Sequence, residues 1–197
     1  MTRHDIVLAL QGVTKAFGGL KVLSDVGFEV RAGERMALIG PNGAGKTTVF
    51  NLISGAYPID QGAILLQGTN IADVPASRRP RMGIARSFQN IRLMPHLSVV
   101  ENVIVGQHAR ARGLADLREF LLRVAERGVT LMVVEHDMSL VRRLCDHTVV
   151  LNFGRKIYDG PIGEVQDDPA VLEAYLGPGH QAADDARVAA GASRHAS

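Results

Sequence analysis

The sequence predicts an α/β fold, with a mostly parallel sheet and an antiparallel β part at the N-terminus. Strand-like and helix-like segments alternate after residue 36, which is typical of a parallel sheet covered by helices. The apolar run 36–39 leads directly into a glycine-rich loop, as a buried strand does before a binding turn. Near the N-terminus, two segments alternate apolar and polar residues and contain many β-branched side chains, which predicts an antiparallel pair: "IVLALQGVTKAF" and "VLSDVGFEV".

Four elements are predicted between the loop and residue 89. Residues 48–53 begin a helix, and "GAILLQG", bounded by glycines, predicts a strand. "PASRRPRM" predicts a short helix, because proline is favoured at a helix start. "GIARSFQ" predicts another strand that ends at Gln89.

The second half of the chain continues the alternation. Ser98 and Glu101 have the spacing of a capping box, which predicts a helix start. Apolar residues recur at helical spacing from Leu114 to Arg127, and "VTLMVVEHD" predicts a strand buried on both faces. A helix, a hairpin and a closing helix follow, in "MSLVRRLCD", "HTVVLNFG" with "RKIYDG", and "DPAVLEAYLG". The tail 178–197 has no apolar face and is predicted to be disordered.

Composition narrows the class of protein. With 46% hydrophobic and 21% charged residues in 197, the chain is expected to form one globular domain with a real core. A net charge of +2 and an arginine cluster without interleaved aromatics argue against nucleic acid, so Arg78, Arg79, Arg81 and Arg86 are expected on a solvated face. The single cysteine, Cys145, is expected to be a packed, inert thiol. No apolar run approaches 18 residues, so we expect a cytoplasmic chain or one peripheral to a membrane.

The glycine-rich loop "GPNGAGKTT", residues 40–48, is a phosphate-binding motif. It fits the pattern GxxxxGKS/T, with a strand before it and a helix after it, which argues against a chance match. Backbone N–H groups and the helix dipole favour an anion at such a helix start, and Gly43 and Gly45 let the backbone approach phosphate oxygens. Lys46 would reach the β- and γ-phosphates, and the Thr47 hydroxyl would bind Mg²⁺.

Four features in order resemble the ATP-binding subunit of ABC transporters, above all the subunits that serve branched-chain amino acid importers. They are "GPNGAGKTT", the glutamine in "RSFQNIRLMPHLSVVENV", the histidine in "VVEHDM" and the closing "VLNFGRKIYDGPIGEVQDDPAVLEAYLG". The resemblance covers residues 6 to 177. It implies a P-loop NTPase fold of the ABC ATPase type.

The resemblance also implies a site for ATP and Mg²⁺. Phe17 would stack on adenine, Gln89 would sense Mg²⁺ and the attacking water, and His136 would contact the γ-phosphate and orient that water. The alternatives are a core or turn phenylalanine, an exposed glutamine and a structural histidine. Thr47 and Gln89 would be the metal-binding residues, and the nucleotide-binding loop would consist of Gly40, Pro41, Asn42, Gly43, Ala44, Gly45, Lys46, Thr47 and Thr48.

Two parts of the family pattern are missing from the sequence. There is no Asp-Glu dipeptide, which would hold Mg²⁺ and polarise water, and no signature resembling LSGGQ. The two matching halves join near Arg112 and Gly113, so the predicted domain 1–177 lacks most of the helical subdomain and one interior strand. Glu135 is a poor replacement base, since it matches the residue before the histidine. Either the flanking strands close up or the chain is only marginally stable.

The resemblance implies an ATP-binding subunit that couples ATP binding and hydrolysis to import of branched-chain amino acids or related solutes. Its partners would be transmembrane permease subunits and a second ATP-binding subunit, in a homo- or hetero-dimer, on the inner face of the cell membrane. Alternatives are a non-hydrolysing nucleotide-binding module and a non-functional deletion product. A GTPase is disfavoured because NKxD and TKxD are absent, and a metal enzyme because the histidines lack ligand spacing.

Overall fold

The computed structural model describes residues 6–85, 123, 126, 128–134 and 138–176. Among these residues, eight strands, three helices and one 3₁₀ turn have defined bounds, and Arg123 and Glu126 are also helical. The strands are β1 Ile6–Phe17, β2 Leu20–Arg31, β3 Arg35–Ile39, β4 Gln61–Leu66, β5 Thr69–Asn70, β6 Leu131–Val133, β7 His147–Asn152 and β8 Arg155–Pro161. The helices are α1 Lys46–Ile53, α2 Met138–Leu144 and α3 Pro169–Leu176, and the 3₁₀ turn is Arg79–Met82.

The first sheet is entirely antiparallel, with strand order β2-β1-β4-β5. Leu10 lies opposite Phe28 of β2 and Ile64 of β4, and all three side chains are buried. The alternation in the sequence arises because one face of this sheet packs on the core. The antiparallel pair predicted at the N-terminus is confirmed, and two further strands extend it.

The second sheet is mixed, with strand order β6-β3-β7-β8. β3 is parallel to β6 on one side and to β7 on the other, and β8 returns antiparallel to β7. Residues 36–39 of β3 are at most 1% exposed, which explains their continuous apolar run. The predicted hairpin after residue 147 is confirmed as β7 and β8. The strand that precedes the glycine-rich loop therefore has hydrogen-bonded neighbours on both sides.

The second sheet is the middle layer of the fold. Along β3, Met36 and Leu38 belong to a core shared with the first sheet and with α1. Ala37 and Ile39 point to the opposite face and pack with a second core that includes residues of α2 and α3. Because successive side chains of a strand point to opposite faces, one short strand contributes to both cores. Among the described residues, no helix is long and apolar enough to span a membrane.

The segment after β5 differs from its prediction. "PASRRPRM" forms a turn and then the 3₁₀ turn, and not an α-helix. Pro80 explains this, because proline has no N–H to donate and is tolerated only at a helix start. Gly83, with a φ of 98°, ends the turn. Residues 83–85, predicted to begin a strand, are not in a strand, and 86–89 lie outside the described residues.

Several other predicted elements also lie outside the described residues. These are the capping box of Ser98 and Glu101, most of the helix predicted over 114–127, and the tail 178–197.

Arg79 is buried, which corrects the prediction that the arginine cluster forms a solvated face. Its side chain is about 2% exposed, whereas Arg78 and Arg81 are exposed. The guanidinium donates to five backbone carbonyl oxygens, those of Leu52, Ile53, Ile71, Ala72 and Val74, at 2.6 to 3.2 Å. Two of these carbonyls lie at the end of α1, where the helix dipole favours a cation. Arg79 thus holds the end of α1 to the segment after β5.

We expect Arg79→Met to lower the free energy of unfolding by about 3 kcal/mol or more, because buried carbonyls would lose their donors. Urea denaturation followed by circular dichroism measures this change. Arg78→Ala is the matched control, since Arg78 is the exposed neighbour, and its effect should stay within about 0.5 kcal/mol. Equal effects of the two substitutions would contradict the assigned role of Arg79.

Cys145 is predicted from the structure to resist alkylation. Its side chain is buried, and burial together with the Asp146 carboxylate raises the pKa of the thiol to about 12. Because the thiolate is the reactive form, iodoacetamide should modify the native chain at least about 100-fold more slowly than the chain unfolded in guanidinium chloride. Mass spectrometry at pH 8 follows both reactions. Similar rates in the two states would show that the thiol is accessible.

Candidate functional site

The glycine-rich loop 40–48 follows β3 directly, and its last three residues form the first turn of α1. Gly45 is the N-cap of α1, with a φ of 102°, and it provides no side-chain cap. Gly40, with a φ of 143°, lies so close to β7 that an added Cβ would be 2.1 Å from the Leu151 carbonyl oxygen. Only glycine fits at that position. The loop is therefore held in place where strand and helix meet.

The first turn of α1 presents free backbone donors. In the described part of the chain, no acceptor is hydrogen-bonded to the N–H groups of residues 45–48. A helix start leaves such groups unsatisfied unless a side chain, water or a ligand accepts from them. The positive end of the helix dipole lies at the same place. The loop consequently has the donor set of an anion site, as predicted for residues 40–48.

Lys46 folds back over the loop. Its Nζ donates to the carbonyl oxygens of Gly40, at 2.6 Å, and Pro41, at 2.8 Å. None of the ion pairs found among the described residues involves Lys46. Burial lowers the pKa of Lys46, because the charged ammonium loses part of its hydration. The site thus contains a cation whose charge an incoming anion would neutralise.

Gly154, in the turn between β7 and β8, joins both sheets to the loop. Its N–H donates to the Ala44 carbonyl at 3.1 Å, and its own carbonyl accepts from the Ser24 N–H of β2 at 2.8 Å. A Cβ at Gly154 would lie 2.1 Å from the Val22 carbonyl oxygen. The sequence alone indicates only that Gly154 lies in a turn. Its contact with the phosphate loop was missed, because residues 110 positions apart give no local pattern.

Gly154→Ala should lower the free energy of unfolding by about 3 kcal/mol or more, because the new methyl would push β2 away from the loop. The matched control is Gly68→Ala, which has a similar positive φ but open space around the Cβ. That change should cost only about 1–2 kcal/mol of conformational strain. Thermal or urea unfolding of both variants tests the difference. A Gly154→Ala variant no less stable than Gly68→Ala would contradict the close packing described here.

Phe17 lies at the end of β1, opposite Leu20, and its ring is 40% exposed. It is therefore not a core phenylalanine, which was one of the alternatives. Three residues further along β2, the Leu23 side chain packs against Gly45 of the loop, so Phe17 lies at the loop's end of the sheet. Its ring contacts Tyr57 edge-to-face, with centroids 5.2 Å apart and an interplanar angle of 77°. Tyr57 was not predicted as part of the site.

Two predicted site residues cannot be placed. Gln89 and His136 lie outside the described residues, as does Glu135. In the sequence, His136 falls between β6 and α2. The described structure defines the loop 40–48 at the start of α1 and places Phe17 at the end of β1. The roles of Phe17, Gln89 and His136 stay predictions.

Comparison with known proteins decides the family. The sequence profile described as "ABC transporter" matches residues 23–151, which include the loop, α1 and most of β7. The chain belongs to the ABC transporter family. This confirms the predicted resemblance and agrees with the strand-loop-helix geometry around residues 40–48.

The relatives of this ABC chain include ATP-binding subunits. It is 30% identical over 249 aligned positions to the high-affinity branched-chain amino acid transport ATP-binding protein BraF of Pseudomonas aeruginosa. That alignment covers 87% of this chain and 98% of the relative. With only 197 residues in this chain, roughly 80 of the aligned positions are occupied by the relative alone.

Solved structures confirm the fold class. The ADP conformation of MJ1267, an ATP-binding cassette of an ABC transporter, matches with a TM-score of 0.73 at 22% identity, covering 87% of this chain and 99% of that one. A dimeric post-hydrolysis state of the ATP-binding cassette MJ0796, bound to ADP and phosphate, matches with a TM-score of 0.63 at 18% identity. That match covers 79% of this chain and 98% of the other. At these identities the likeness shows the fold alone.

Proposed function

We propose that this chain is the ATP-binding subunit of an ABC importer, and that it binds MgATP at the loop 40–48. The observation that carries the proposal is the free donor set of the loop, namely the N–H groups at the start of α1 and the Lys46 ammonium, which has no ion-pair partner among the described residues. A triphosphate supplies the anionic oxygens that these donors lack. The names of the relatives support branched-chain amino acids or related compounds as the transported solute.

Binding would proceed as an exchange of hydrogen bonds. Lys46 would release the Gly40 and Pro41 carbonyls and donate to the β- and γ-phosphates. The residues present also fit Mg²⁺, because the Thr47 hydroxyl is an oxygen ligand of the kind Mg²⁺ prefers and its side chain is exposed beside the phosphate donors. Bound Mg²⁺ neutralises charge on the phosphates. Phe17 would stack on the adenine at the other end of the nucleotide.

Hydrolysis requires more than the loop provides. Gln89 and His136 would orient the attacking water, yet the sequence has no Asp-Glu pair to activate it. We propose that hydrolysis is reduced or absent. The roughly 80 positions that BraF alone occupies support a domain, residues 1–177, from which most of the helical subdomain is missing near 112–113. Residues 178–197 would be a disordered tail.

The proposed partners follow from the family. A related ATP-binding cassette was solved as a dimer, which supports a homo- or hetero-dimer with another ATP-binding subunit. The transport function in the relatives' names supports docking on transmembrane permease subunits, at the inner face of the cell membrane.

A second candidate is a nucleotide-binding module that does not hydrolyse ATP. The missing Asp-Glu pair favours it, because binding and hydrolysis depend on separate parts of the chain. A non-functional deletion product is disfavoured by two features. The strand β3 is paired on both sides, and the residues of both cores are tightly buried.

Calorimetric titration with MgATP tests nucleotide binding. We expect saturable heat from the purified chain and roughly 100-fold weaker binding by Lys46→Ala, which loses two charge-assisted hydrogen bonds worth together about 2.7 kcal/mol. Lys156→Ala is the matched control, because Lys156 pairs with Asp159 on β8 and should leave affinity unchanged. A folded wild-type chain that binds no MgATP would contradict the proposal.

Phosphate release separates the two candidates. If the chain is a residual ATPase, release in excess MgATP will exceed the background of Lys46→Ala. If it is a binding module, the two rates will be equal even when permease subunits are added.

A further inference from the structure

Two half-exposed aromatic rings face each other at the end of the first sheet. Phe17 ends β1 and Tyr57 lies in the connection between α1 and β4. Their centroids are 5.2 Å apart at an angle of 77°, the edge-to-face arrangement that aromatic pairs prefer. The exposed fractions are 40% for Phe17 and 44% for Tyr57. The pair is therefore accessible to a ligand and is not part of a core.

The same connection is fastened to the end of β1 by Asp60. Its carboxylate accepts from the Lys15 ammonium at 2.6 Å and from the Ala16 N–H at 2.7 Å. The Asp60 N–H donates to the Thr14 carbonyl at 3.0 Å. The Lys15 ammonium in turn lies 5.2 Å from the centroid of the Phe17 ring. Phe17 is thus contacted by two side chains, Tyr57 and Lys15, and Asp60 holds the Lys15 ammonium in place.

The other end of the connection is attached to α1. The N–H groups of Ala56 and Tyr57 both point to the Asn51 carbonyl, at 2.8 and 3.4 Å. The start of α1 carries the phosphate donors, so a continuous set of contacts runs from the loop along α1 to Tyr57 and on to Phe17. This path connects the Phe17 ring to the phosphate loop.

We infer that Tyr57 is a positioning residue for the base of the nucleotide, and that it acts by ordering the Phe17 ring on which the base would stack. The inference rests on the proposed function. A ring that is already ordered loses less side-chain entropy when a base stacks on it. Tyr57 should consequently matter for ligands that have a base and not for a bare polyphosphate.

The experiment compares two ligands, MgATP and magnesium tripolyphosphate, by calorimetry on the full chain. Tyr57→Ala should weaken MgATP binding about three- to tenfold and leave tripolyphosphate binding unchanged. Tyr57→Phe is the matched control, because it keeps the ring and should keep the wild-type affinity. Phe17→Ala should also weaken only MgATP, and the double variant Phe17→Ala/Tyr57→Ala should bind MgATP as Phe17→Ala does.

Several outcomes would overturn the inference. An equal loss for both ligands in Tyr57→Ala would mean that Tyr57 only supports the local fold. Wild-type MgATP affinity in Tyr57→Ala would mean that Phe17 does not need Tyr57 in order to bind the base. Additive losses in the double variant would mean that Tyr57 acts independently of Phe17. If the wild-type chain binds neither ligand, the proposed function itself is contradicted. If the wild-type chain binds both ligands and Tyr57→Ala has no selective effect on MgATP, only the inference about Tyr57 is contradicted.

Discussion

The packing of the phosphate loop against Gly154 is the constraint on which the rest of the structure depends. At this point the backbone of the β7–β8 turn contacts β2 on one side and the loop on the other, without any side chain between them. The two sheets and α1 are thereby brought to one place. The loop can present its N–H groups outward because its inner side is occupied by β7 and by the side chain of Leu23. A binding surface made of backbone needs this kind of rigid support, since it has no side chains to adjust.

The two ends of α1 differ in how their backbone groups are satisfied. Within the described residues, the N–H groups of its first turn have no acceptor, whereas the carbonyls at its end accept from the Arg79 guanidinium. Arg79 lies among backbone carbonyls instead of facing a carboxylate, so its charge complements the negative end of the helix dipole. The helix therefore has one end satisfied by a buried arginine and one end that is open at the phosphate loop. This arrangement fixes α1 as a rigid element between the phosphate loop and the connection that contains Tyr57.

Much of this fold could be predicted from the sequence, because its main signals are local. The apolar run before Gly40, the loop motif and the alternation in β1 and β2 each identify an element from neighbouring residues.

The positions that were missed depend on contacts between distant segments. A run of arginines does not reveal that Arg79 points inward while the described neighbours Arg78 and Arg81 are exposed. A turn glycine does not reveal that Gly154 contacts residues of β2 and the loop. Tyr57 was overlooked for the same reason. The roles that the family pattern gives to Phe17, at the base, and to residues 40–48, at the phosphates, stay proposals. The parts assigned to Gln89 and His136 stay predictions.

The fold-back of Lys46 has a consequence for selectivity among anions. In the described structure its ammonium is already engaged by two carbonyl oxygens, so a ligand must compete with the protein's own loop. A small monovalent anion offers one negative oxygen or halide and gains little from breaking two hydrogen bonds. A polyphosphate offers several negative oxygens, and these can occupy Lys46 and the N–H groups of α1 together. The loop's own carbonyls thus compete with a ligand for Lys46, and this competition favours ligands that carry several negative oxygens.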